Sequence, residues 1–244
     1  MTILVTGGTG VLGAPTVTLL RAAGHDVRVL SRTRGDHIGD LTSGAGLSEA
    51  FAGADTVLHL ATSAGAKDTR QTQHAVDAAI ASGVTHVVYI SIVGVDVVPY
   101  PYYRSKLASE QIIERSGIPF TILRATQFHS FIAMFVQVQK RLPVIISLDV
   151  PDQPIAAAEV AQRLVELASA DPAGRVADIG GPEQLQLREA IDIWQAAAGT
   201  RKPVWTLRLV GKTIRTFREG RHMTGLPGFG RETLAEFAAR EAAK

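Results

Sequence analysis

The segment Thr6-Gly-Gly-Thr-Gly-Val-Leu-Gly13 constrains this chain more than any other. It follows a short apolar run at residues 3–5 and opens a helical stretch at residues 11–23, with Pro15 in the first turn and Gly24 as a stop. Strand, glycine turn and helix in that order are the context in which such spacing signals a dinucleotide site. Missing Cβ atoms let the backbone turn tightly and approach a pyrophosphate, while N–H groups and the helix dipole over residues 9–12 favour its negative charge. Thr6, Gly7, Thr9, Gly10, Val11, Leu12 and Gly13 are therefore the first candidate cofactor contacts.

About 20 residues beyond such a turn, an Asp or Glu would read the ribose 2′-hydroxyl of NAD. Here the second strand ends instead in Ser31-Arg32-Thr33-Arg34. Arg32 can pair with a 2′-phosphate and lay its guanidinium plane along the adenine, so NADP(H) is the expected cofactor, with Ser31 and Arg32 in contact with it. The alternative makes both arginines solvated loop charges and lets Asp36 meet a ribose. Asp40, after Gly39, is placed to reach the adenine amino group, with Leu41 beside it. Ala61, Thr62 and Ser63 fall just past the fourth strand, at the carboxyl edge where open α/β sheets bind ligands, and are expected at the nicotinamide ribose.

Short β-branched runs at residues 3–5, 26–30, 56–60, 86–91 and 120–124 alternate with helical stretches at 11–23, 69–81 and 102–116. Runs as continuously apolar as Val87-Val-Tyr-Ile90 suit strands buried on both faces. The fold class is α/β, a doubly wound parallel Rossmann-type sheet with a small C-terminal substrate lobe. A hydrophobic fraction of 46% with 6% aromatics fits such a layered core. The cofactor domain is expected over residues 1–181, with residues 175–179 returning to the sheet and 130–145 contributing to a substrate pocket. The mainly helical lobe is expected over 182–244.

Tyr102-Tyr-Arg-Ser-Lys106 sets a phenol and an ammonium four residues apart on one helix face. A phenol of pKa near 10 exchanges protons around neutrality when its anion is stabilised, and a neighbouring Lys106 is expected to do this and to hold ribose hydroxyls. Ser91 closes the fifth strand three residues before Gly94, where its hydroxyl would meet a substrate carbonyl.

With these motifs assembled, the chain resembles the short-chain dehydrogenase/reductases, specifically their atypical NmrA-like branch of NAD(P)H-binding oxidoreductases. The residues that carry the resemblance are 6–13, Arg32, Gly39-Asp40-Leu41, 87–91 with Gly94, 102–106 and Ile122-Leu-Arg124. The resemblance implies Ser91, Tyr102 and Lys106 as the catalytic set. Tyr102 would transfer the proton, Ser91 would polarise the carbonyl, Lys106 would orient the ribose and lower the phenol's pKa, and the nicotinamide would give the hydride. It implies further cofactor contacts from Ala125 and Thr126, and a substrate pocket of Val93, Tyr103, Phe128 and His129. Two features depart from the family's pattern: the third strand is cramped between Arg34 and Asp40, and Tyr103 stands beside Tyr102.

Rival sites are weaker. Ala61-Thr-Ser-Ala-Gly65 lacks the first glycine of a hydrolase elbow, and the seven histidines show no metal-ligand spacing, so no metal is expected. Zero cysteines exclude disulfides and thiolate catalysis and are compatible with a cytoplasmic address. A net charge of +2, from 25 basic and 23 acidic residues, argues for no nucleic-acid or membrane partner. No run of about 18 apolar residues and no basic leader suggest a membrane span or secretory signal. Lys212, Arg215, Arg218, Arg221 and His222 fall at helical spacing and could meet an anionic substrate, although such stripes are more often solvated, while Trp194 and Trp205 are expected to fill the lobe's core. The expected function is an NADPH-dependent reductase of a small carbonyl, quinone or similar electrophile, as monomer or homodimer. A redox sensor without turnover and a sugar-nucleotide epimerase or dehydratase are the alternatives.

Overall fold

The computed structural model describes residues 1–243. The chain folds as two compact units, each assembled from segments distant in sequence.

The first unit comprises Met1–Ser91, Tyr100–Arg124 and Ala157–Ala177. Its strands are β1 (Thr2–Thr6), β2 (Asp26–Ser31), β3 (His37–Ile38), β4 (Thr56–His59), β5 (His86–Ile92), β6 (Phe120–Ala125) and β9 (Gly174–Arg175). They make one sheet in the order β3-β2-β1-β4-β5-β6-β9, doubly wound about β1 as the glycine turn required. Its helices are α1 (Gly13–Ala22), α2 (Leu47–Phe51), α3 (Lys67–Ala81), α4 (Pro101–Arg115) and α6 (Ala157–Ser169). The cramped third strand is real: β3 has two residues, paired with Leu30 and Ser31.

Register explains what each face carries, because side chains two apart share a face. Leu4, Val57 and Val87 lie in one row across β1, β4 and β5. They pack with Ala75, Val76 and Ala79 of α3 and Ile113 of α4 into the main core cluster. Fully burying a Leu, Val or Ile side chain in this cluster contributes about 1.5–3 kcal/mol. Two residues nearer the carboxyl edge the same face carries a polar row, Thr6, His59 and Tyr89, in register with one another. Ser91 continues that face of β5 to the sheet edge.

The second unit comprises Ile92–Pro99, Ala125–Ala156 and Asp178–Lys244. It contains α5 (His129–Val138), β7 (Ile145–Leu148), β8 (Pro151–Asp152), β10 (Leu185–Gln186), α7 (Leu187–Ala197), β11 (Val204–Leu207), α8 (Lys212–Arg218) and α9 (Leu234–Ala242). Ile132, Ile145, Leu187, Ile191, Val204 and Leu234 form its core, with Trp194 packed against it. Trp205 corrects an expectation: it is 63% exposed. The strand that bears it pairs with β7 alone, so one face of this two-stranded ribbon has no layer to cover it.

Candidate active site

The glycine turn owes its shape to close backbone approach. A Cβ on Gly13 would lie 2.1 Å from the Gly7 carbonyl oxygen, and one on Gly7 would lie 2.7 Å from the Ala61 nitrogen. Gly10 N–H closes the turn on Gly7 O at 3.0 Å. Thr9, Gly10 and Val11 are exposed, and α1 begins at Gly13 behind Leu12, with no side-chain cap. An uncapped helix start behind an open glycine cradle fits the pyrophosphate of a dinucleotide. Thr6 points inward instead: wholly buried, its Oγ1 lies 2.7 Å from His59 Nδ1 and accepts from Ala61 N–H at 3.3 Å. It joins the turn to the end of β4.

At the end of β2, Ser31 Oγ accepts from Thr33 N–H and Arg34 N–H, and Arg32 stands exposed. The carboxylate that could have replaced it is engaged elsewhere, since Asp36 Oδ2 accepts from Val29 N–H at 2.9 Å and from Arg21 at 3.0 Å. Asp40 is turned to its own loop, accepting from Thr42 N–H at 2.8 Å, and this bond lowers its pKa. The Leu41 side chain is buried in the core and its carbonyl accepts from His74.

Tyr102 and Lys106 sit one turn apart on α4, but their heads go different ways. Lys106, 3% exposed, donates from Nζ to Ile90 O at 2.8 Å and lies over the Tyr89 ring at 4.3 Å. Burial brings its pKa down to about 8, against the charges of Asp68 and Glu110, which raise it. Tyr102 Oη lies 3.2 Å from Thr62 Oγ1. Burial raises the phenol's pKa, and the charge of Asp68 raises it further. The sequence reading expected Lys106 to bring this pKa down; its ammonium is anchored on Ile90 and lies over Tyr89, and the phenol moves the other way. Tyr103 is buried and meets Tyr100 and Tyr102 edge-on, at 6.0 and 6.4 Å. Ser91 is 2% exposed, and its hydroxyl has no hydrogen-bond partner among the described residues.

The remaining candidates lie in the second unit. Val93 N–H donates to Ala125 O at 3.1 Å, and Thr126 N–H to Ile179 O at 3.0 Å. The Thr126 hydroxyl is buried with no hydrogen-bond partner among the described residues. Phe128 is half-buried and bridges to Ile155. His129 is packed into the interior, its Nε2 3.0 Å from Glu232 O and its ring 5.2 Å from that of Phe237.

Residues 7–171 match the NAD(P)H-binding family. The chain belongs to that family. An NADPH-dependent quinone oxidoreductase from Escherichia coli, in complex with NADPH, superposes with a TM-score of 0.79 at 19% identity, covering 98% of this chain and 99% of that one. A triphenylmethane reductase from Citrobacter sp., complexed with NADP(H), does so at 0.78 and 18% identity, over 99% and 100%. A nucleoside-diphosphate-sugar epimerase from Staphylococcus aureus reaches 0.79 at 18% identity, over 98% and 100%. These likenesses establish the fold. A 3-beta-hydroxysteroid dehydrogenase from Mycolicibacterium neoaurum is 41% identical over 68 residues, 24% of this chain and 19% of that protein's length.

In this NAD(P)H-binding protein the sequence reading missed three buried groups. Asp68, 2% exposed, gathers the loop after β4 by accepting from Thr62 Oγ1, Ser63 N–H and Ser63 Oγ. His59 lies 3.2 Å from Thr72 Oγ1, which donates to Ser109 Oγ, and burial holds its pKa at about 3. Glu110 receives Arg124 through both Nε and an Nη. An acid just before the second helical stretch was the available signal for Asp68; the other two depend on contacts no local pattern records. Among the described residues no helix is long and apolar enough to cross a membrane.

Proposed function

We propose that this protein is an NADPH-dependent oxidoreductase that reduces a small carbonyl, quinone or similar electrophile, with Tyr102 as proton donor. The observation that carries the reading is Ser91: a buried hydroxyl without a partner, one residue past the carbonyl that anchors Lys106. A buried polar group left unpaired is costly, and a substrate oxygen is the partner that would satisfy it. Ser91 would polarise that oxygen, Tyr102 would deliver the proton, and Lys106, with two N–H donors left after Ile90, would orient ribose hydroxyls. NADPH supplies the hydride when bound. Arg32, exposed where NAD recognition requires an acid, supports the 2′-phosphate form, as does the capture of Asp36 by Arg21 and Val29.

The test is NADPH oxidation against a panel of aldehydes, ketones and quinones, with Tyr102→Phe and Lys106→Ala alongside the wild type. Turnover unchanged in both variants overturns the catalytic assignment. One observation favours a second reading, an NADP(H)-binding sensor: Lys106 is hydrogen-bonded to Ile90, and the phenol it was expected to activate has its pKa raised. Tight NADPH binding without turnover on any substrate would establish it.

A further inference from the structure

Asp68 is a buried acid that the proposed chemistry does not use. Its Oδ1 accepts from Ser63 N–H at 2.6 Å and Ser63 Oγ at 2.5 Å, and its Oδ2 accepts from Thr62 Oγ1 at 2.5 Å. Thr62 Oγ1 also accepts from Ala64 N–H at 3.0 Å and lies 3.2 Å from Tyr102 Oη.

A threonine hydroxyl has one proton to give and two lone pairs to offer. The short contact to a carboxylate claims the proton, because charge-assisted O–H···O⁻ bonds are the strong, short ones. Ala64 N–H takes one lone pair. What remains for Tyr102 is the second lone pair, so the phenol must be the donor. We propose that Asp68 is a positioning residue which, acting through Thr62, fixes Tyr102 as a protonated phenol with its hydrogen directed at Thr62.

This inference rests on Tyr102 being the proton donor of the proposed reaction, and it adds a direction to that role. A phenol held in the donor state is ready to give its proton to a substrate oxygen that competes with Thr62 for it. The loop thereby favours reduction over alcohol oxidation, which needs the phenolate. The titratable groups around the phenol are Asp68 from α3, Tyr89 from β5, and Tyr103 and Lys106 on its own helix. Asp68 reaches it through a hydrogen-bonded chain as well as through space.

The test is an NMR titration of the resting full-length protein, without cofactor or substrate, carrying ring-carbon-labelled tyrosine, with Tyr102→Phe identifying the signal. Thr62→Val removes the acceptor of the protonated form, so Tyr102 should ionise about half a pH unit or more lower; Thr62→Ser should restore the wild-type value. Asp68→Asn should lower it too, and by much less in the Thr62→Val background. A rise in Thr62→Val would mean that Thr62 donates to the phenolate, and it overturns the proposal. No change, or an Asp68→Asn effect undiminished without Thr62, also overturns it. If Asp68→Asn fails to fold, the two Thr62 variants decide. Because no turnover is measured, failure here is separate from failure of the catalytic assignment, which Tyr102→Phe kinetics address.

Discussion

The glycine turn and the β5–α4 site lie on the same unit, yet they are built on opposite principles. The turn works by what is missing: side chains would collide with the backbone at Gly7 and Gly13, and the cradle is left open at Thr9 to Val11. The β5–α4 site works by which atoms pair, with Lys106 on Ile90, Tyr102 on Thr62, and Thr62 on Asp68. Backbone sites of the first kind are written in spacing. Side-chain sites of the second kind depend on partners dozens of residues away.

The largest expected effect tests the second site. Tyr102→Phe should lower turnover about 10²–10⁴-fold while NADPH affinity holds, measured by steady-state kinetics and by titration of the cofactor. Equal losses in both would mean that the phenol serves binding rather than proton transfer. The turn is probed by a pair of variants. Gly13→Ala should cost about 3 kcal/mol in denaturant unfolding and lose cofactor binding, because its Cβ would meet the Gly7 oxygen at 2.1 Å. Gly10→Ala, whose Cβ meets only that oxygen at 3.3 Å, should stay within about 0.5 kcal/mol of wild type and weaken the cofactor alone. Equal instability in both would break the contrast between the two glycines.

Arg32→Glu should reverse or erase a preference for NADPH over NADH, weakening NADPH about 10–100-fold through loss of one charge-assisted pair and gain of a repulsion. Unchanged affinity would return Arg32 to the status of a solvated charge. The smallest expected effect concerns His59, which links the two regions through Thr6 and Thr72. Its folded pKa of about 3 lies below the ordinary value of 6.5, so as pH falls the unfolded chain takes up a proton that the folded chain refuses. Stability is full above 6.5 and should fall by about 2 kcal/mol by pH 5. His59→Gln should flatten that slope in urea unfolding at the two pH values, and an unaltered slope would assign it to other groups.

The same contrast explains what could be read in advance. All five central strands fall within two residues of their expected limits, because continuous apolar runs in a parallel sheet have few other readings. The second helical stretch was expected from Thr69, whereas α3 starts at Lys67, and those two residues decide whether Asp68 belongs to the loop or to the helix that carries it under Thr62 and Ser63. The direction of the phenol's shift was misread because a four-residue spacing brings Cβ atoms together without fixing where a long lysine side chain ends. Trp205 was misread because hydrophobic pattern reports a tendency to bury, and burial also needs a layer above the strand.

Lys106 combines two properties that seldom meet in one amine. With a pKa of about 8 it spends far more of its time uncharged at neutral pH than a surface lysine does, and an uncharged amine is the nucleophilic form. Yet it is 3% exposed, so an acylating reagent in solution cannot approach it while α4 is seated on β5. Its modification rate therefore becomes a clock for the opening of that seam, slow where the surface lysines are fast, and slowed again by any ligand that holds the seam shut.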